Sequence, residues 1–176
     1  MLPPAMFSRE LLAELLRHME WADARVWSAV PDTEPADARL KQWLVHIHVV
    51  QQAFFAVWTG ADVRTAFRTP EDFASLADVR AWTRPYYPAA HEFIHALTVD
   101  RLNAPLVMPW AAQIAQELNR PIGPTTIGET CFQVANHSTY HRGQVNARLR
   151  DIGGEPPLVD YIAWLWFGRP APEWKA

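Results

Sequence analysis

The chain has 176 residues of which 49% are hydrophobic, enough to bury its own core, so the expectation is one domain over 1–176. A formal charge of -3 with no run of Lys or Arg withholds the cationic footprint of a nucleic-acid binder. The lone Cys131 excludes both an internal disulfide and a multi-cysteine zinc cluster, leaving histidine to carry any metal. The opening segment mixes acids and bases with its apolar residues, giving neither a secretory apolar core nor a membrane span of about 20 residues, and sets the expectation of a cytoplasmic protein off the membrane.

Ser8 is a good N-cap for a first helix whose Leu11, Leu12, Leu15, Met19, Ala22 and Val26 follow amphipathic spacing, with a stop expected near Pro31. A second helix is predicted from about Ala36, after Pro35, through Leu40, Leu44, Ile47 and Phe54 to Gly60, a natural terminator. Residues 70–98 have helical spacing broken by Pro85 and Pro88, which predicts a short helix, a kink and a second piece from Ala89 to Leu97. Between Val99 and Pro124, prolines, asparagines and a glycine separate short apolar runs, the mark of a hairpin-like excursion between two helices. Thr125 or Thr126 with Glu129 resembles a capping box that opens a long helix ending at Gly153 and Gly154. Tyr161 to Phe167 predicts a last helical turn or two, and 168–176 a loose tail.

The long final helix carries the chemistry. His137 and His141 are four apart, about 40° of helical rotation, so both rings project from one face and can chelate one ion. Gln133, Gln144 and Arg148 continue that stripe, so either it is surface or the interior has a polar purpose. A solvent-facing pair is the plainer alternative for an isolated H-x-x-x-H. On the second helix His46 has apolar neighbours at Trp43, Val50 and Ala53, where an unpartnered ring would cost about 1–3 kcal/mol, whereas His48 neighbours Gln51 and Gln52. The two stand about 160° apart around the helix, so only one can face a given site. His46 is the favoured ligand, and His48 reads as solvated or interfacial. His91 to His95, HEFIH, matches the H-E-x-x-H pattern of zinc peptidases with Glu92 as base, but without a visible third ligand or edge strand. His18 reads as a surface or packing residue.

Three stretches, LLRHMEWADARVW, LVHIHVVQQAFFAVWTG and ANHSTYHRGQVNARLRDIGGEPPLVDYIAWLW, resemble the DinB/YfiT-like family of metal-dependent helical-bundle proteins, with N-H-x-x-x-H-R-G-Q the most specific part. The resemblance implies an all-α four-helix bundle with a long connection between helices three and four. It also implies a homodimer and a divalent metal, zinc or nickel, held by His46, His137 and His141. Some relatives implied by it are transferases or isomerases using a low-molecular-weight thiol, and others have no assigned reaction. Three neutral imidazoles leave a coordination position open, the arrangement that activates a water or thiol as nucleophile. Gln144, Arg148 and Asn136 are candidates to orient a small-molecule substrate or the ligand rings, as is Asp23 reaching in from the first helix; each is equally an ordinary helix residue. The leading expectation is a metalloenzyme acting on a small molecule. Its rivals are a non-catalytic, metal-stabilised dimer with a stress or sensing role and, more weakly, a HEFIH peptidase.

Overall fold

The computed structural model describes residues 7–32 and 36–175. Helix α1, Arg9–Ala29, starts where the Ser8 hydroxyl accepts the Leu11 amide at 3.1 Å, and gives way to extended backbone at Val30 before Pro31. Helix α2, Ala38–Thr59, is capped by the Asp37 carboxylate on the Leu40 amide at 2.8 Å, slightly later than the expected start at Ala36; Pro35 lies outside the described residues. Gly60 closes α2 at φ 73°, left-handed backbone that glycine enters without a Cβ penalty.

The proline-rich third region resolves into α3, Leu76–Thr83, capped by a Ser75–Asp78 box, and α4, Tyr86–Ala96. The expected break at Pro88 does not occur, because Pro88 falls in the first turn of α4, where its missing N–H has no intrahelical acceptor to lose. The excursion that follows holds α5, Val99–Leu102, and α6, Ala111–Glu117, the latter unforeseen in the sequence. Its ends are pinned by a short antiparallel pair, β1 Pro105–Leu106 against β2 Thr125–Thr126. Thr126 then caps α7, Ile127–Asp151, in a reciprocal box with Glu129. Helix α8 spans Tyr161–Trp166.

Helices α1 and α2 each lie along α7, and α4 closes the square by contacting both, so α1, α2, α4 and α7 form a four-helix bundle with α3 against α2. The fold is all-α in the sense expected. No helix among the described residues is long and apolar enough to cross a membrane. The tail is not loose: the Trp174 ring lies 5.3 Å from that of Tyr87, tilted by 46°, and donates to Glu20, and Lys175 pairs with Asp32 at 2.5 Å. A large aromatic ring against the core supplies a reason for the terminus to dock.

The bundle interior has two apolar ends. One gathers Leu12, Leu16, Met19, Trp58, Ile127 and Val134; the other gathers Val26, Trp27, Leu40, Leu44, Val145 and Leu149. Between them each long helix contributes buried polar groups: Asp23 from α1, His48 and Gln51 from α2, Ser138 and Arg142 from α7. This polar layer sits at the level of the histidines and sets what surrounds them.

Candidate metal centre

His46 projects from α2 toward α7, where His137 and His141 sit on adjacent turns. One nitrogen from each ring lies within 4.8 Å of the other two. His46 Nε2 and His141 Nε2 stand 3.2 Å apart, against about 3.3 Å for two ring nitrogens bonded to one tetrahedral ion at ordinary lengths. Ring centroids are 4.4 Å apart for His46 and His141, 5.1 Å for His46 and His137, and 4.3 Å for His137 and His141. The donor set suits a divalent cation of borderline softness.

Three local features fit these rings to that role. Gln144, one turn beyond His141, accepts from His141 Nδ1 through Oε1 at 2.5 Å, which fixes the tautomer and leaves the Nε2 lone pair aimed at His46. Burial, aided by repulsion from His141, lowers the pKa of His46. Burial, then His141 and His46, lowers that of His137 to about 4. Neutral imidazole is the form that ligates. Finally, His137 Nδ1 is buried with no hydrogen-bond partner among the described residues, the sort of orphaned atom that native interiors seldom tolerate without a ligand or water. Trp43 stacks on His141 at 5.3 Å and 29°, and exposed Tyr140 meets the same ring edge-on at 4.9 Å, so two aromatic groups frame the outer side. Neither was singled out from the sequence; an aromatic residue one turn from a ligand was the available signal.

The family is decided by comparison with known proteins, in which a model described as DinB family matches residues 6–175. The chain belongs to the DinB family. Protein DinB of Bacillus subtilis (strain 168) is 35% identical over 66 residues, a stretch covering 32% of this chain and 38% of that protein. The chain thus spans well under half the length of this curated relative. No solved structure matches significantly.

Within this DinB bundle the remaining candidates separate. Gln144 touches the His141 ring. Asp23 does not reach the histidine cluster: it accepts from Arg142 Nη1 at 2.8 Å, from Gln51 Nε2 at 2.8 Å and from the Tyr87 hydroxyl. Burial would raise its pKa, but Arg142, then His48, Tyr87 and Gln51, outweigh that and hold it below the usual carboxylate value. Arg148 is committed to Asp37 through two bonds of 3.0 and 2.6 Å, tying α7 to the start of α2. Asn136, exposed, turns about 100° away from His137 and lines a cleft on the other side of α7.

His48 overturns the expectation of a solvated or interfacial ring. It is 1% exposed, accepts from Trp27 Nε1 at 3.0 Å through Nε2 and donates from Nδ1 to Gln51 Oε1 at 2.8 Å, while His46 is half-buried. Polar neighbours marked His48 as surface, yet Gln51 is polar because it is its partner. In HEFIH, His91 is bound to Glu20 at 2.7 Å and Glu92 and His95 are exposed, so that stretch assembles no ligand trio among the described residues. His18 is buried and bonds the Val159 carbonyl at 2.9 Å, a packing role.

Proposed function

We propose that this DinB-family chain is a cytoplasmic metalloenzyme that holds one divalent ion, zinc or nickel, on His46, His137 and His141 and acts on a small molecule with a low-molecular-weight thiol as cosubstrate. The observation that carries the reading is the convergence of three ring nitrogens from two helices, two of them on rings with depressed pKa values, to within 4.8 Å of one another. A bound divalent ion supplies the positive charge that makes a thiol or water nucleophilic at neutral pH. The chain supplies the rest: Gln144 holds the His141 ring by its Nδ1–H, Trp43 covers one face of that ring, and Tyr140 stands at the outer edge where a substrate would enter. Three protein ligands leave the coordination sphere incomplete, as a catalytic site requires. The thiol and the transferase or isomerase class follow from the family resemblance alone. A homodimer is part of the same reading, and exposed Ile162, Trp166 and Phe167 on and beside α8 offer apolar surface for it.

The experiment is turnover of a panel of thiols against electrophilic acceptors by the zinc- or nickel-loaded protein and by the chelated protein. Thiol consumption that requires both metal and His137 supports the enzyme. Metal that raises the melting temperature while every thiol and acceptor is left unchanged would replace it with the metal-stabilised dimer.

A further inference from the structure

Gln144 holds one of the three histidine rings, and the other two lack an equivalent. Histidines that ligate a metal usually send their second ring nitrogen to a carboxylate, a carbonyl or water, and that bond keeps the ring in place. His141 has such an acceptor in Gln144 Oε1. Among the described residues His46 has no hydrogen-bond partner other than His141 itself, and His137 has none. A ring without such a bond keeps broad freedom about its Cβ–Cγ torsion, so packing has to set it.

Arg39, Trp43 and His46 follow one another on α2 at spacings of four and three, so they share one face of that helix. The Trp43 indole stacks on His141 at 5.3 Å and 29° and meets His46 near edge-on at 6.1 Å and 80°. Both separations lie in the range of favourable aromatic pairs. Among the described residues Trp43 is the one aromatic side chain outside the trio that touches two of its rings; Tyr140 touches His141 alone. The indole is itself held. It packs against the apolar end that contains Leu40, Leu44 and Val145, and the Arg39 guanidinium lies 4.7 Å over its ring while donating to Gln42 Oε1 at 3.1 Å.

We propose that Trp43 is a positioning residue for the histidine cluster, an aromatic clamp that sets the His46 and His141 rings before an ion arrives, with Arg39 steadying the indole. The inference rests on the reading of His46, His137 and His141 as metal ligands. A hydrogen bond such as that of Gln144 fixes one ring at one nitrogen. An indole stacked on one ring and edge-on to another fixes how two rings from different helices stand to each other, here 4.4 Å apart with planes at 72°. Rings already set in this way need less ordering when they close on a shared ion, so affinity rises.

The test is zinc affinity by competition with a chelating dye, together with the visible spectrum of the cobalt-loaded chain, for wild type, Trp43→Leu, Trp43→Phe and Arg39→Met. Circular dichroism checks helical content in each, and Trp43→Ile repeats the aliphatic case should Trp43→Leu lose helix. Trp43→Leu is expected to bind zinc about 10–100-fold more weakly and to broaden the cobalt bands, because the rings then sample several orientations. Trp43→Phe keeps an aromatic face and edge and should recover most of the affinity and the wild-type bands, which an aliphatic side chain does not. Arg39→Met should weaken zinc at most about fivefold, the scale of an exposed cation–π contact. Wild-type affinity and spectrum in the aliphatic variants, or Trp43→Phe as weak as they are, would overturn the clamp. A wild-type chain that takes up no ion would overturn the histidine site and the clamp with it, whereas zinc lost in His137→Ala but unmoved by Trp43→Leu would overturn the clamp alone.

Discussion

His46 and His48 stand on the same helix two positions apart, and the surroundings each enters differ in whether polar atoms are satisfied. Around His48 each side chain has at least one counterpart, although Arg142 Nε has none among the described residues: Trp27 donates to the His48 Nε2, Gln51 accepts from its Nδ1, Gln51 in turn donates to Asp23 and Ser138, and Asp23 receives Arg142 and Tyr87. Around His46 the rings face one another with lone pairs converging and His137 Nδ1 orphaned. A closed polar network inside a bundle behaves as structure, fixing how α1, α2 and α7 rotate against each other. An open one, half-buried beside it, is suited to a ligand that the chain itself does not supply.

Breaking the closed side should have the largest effect on stability. Asp23→Ala leaves Arg142 buried and uncompensated, and the loss is expected to be about 3–5 kcal/mol. Urea unfolding should show it with or without chelator. A loss visible only after metal removal would mean that the network serves the ion rather than the fold.

On the open side, Gln144→Leu removes the acceptor that orients His141 without touching a ligand. Metal affinity should fall about 10–100-fold, as for other groups that hold ligand histidines, while helical content by circular dichroism stays constant. Unchanged affinity in a competition with a chelating dye would show that the His141 tautomer is set by something other than Gln144.

Acid sharpens the same contrast. In the metal-free chain the folded state holds His137 neutral with a pKa of about 4, while the unfolded chain protonates near 6.5. Protons therefore favour the unfolded chain as pH falls from about 6.5 toward 4, and stability contributed by the neutral ring is present above that window and lost within it. Chelated wild type should lose stability across this range, and His137→Ala should lose less of it.

The smallest effect concerns Arg148, which shares the histidine stripe but is occupied by Asp37. Arg148→Met should leave metal affinity unchanged and lower stability slightly at neutral pH. That small difference should vanish as pH falls from the usual Asp value of 3.8 through about 2, where Asp37 is held in the fold by Arg148 and protonates.

What the sequence made legible follows the range of the interactions. Ser8, Gly60 and the Thr126–Glu129 box act within a turn of the chain and could be read directly, as could the shared face of His137 and His141. The exclusion of HEFIH needed Glu20 from α1 and the burial of His48 needed Trp27 from α1, contacts that no local pattern encodes, whereas the local Gln51 bond was visible only as a polar neighbour. His46 was favoured for its apolar neighbours, yet the structure leaves it half-buried on the α2–α7 seam; Trp43, one of those neighbours, stacks on His141 of the opposing helix. Helix α6 escaped notice because prolines on both sides masked a short periodic run, and the docked tail because Trp174 packs on residues far away in the chain.

The most direct test of the open-site claim is metal per chain by elemental analysis after purification in zinc or nickel and exhaustive dialysis. The account predicts about one ion in wild type, His48→Ala and His91→Ala, and its loss in His46→Ala, His137→Ala and His141→Ala. An ion retained by His137→Ala and lost by His91→Ala or His48→Ala would contradict it.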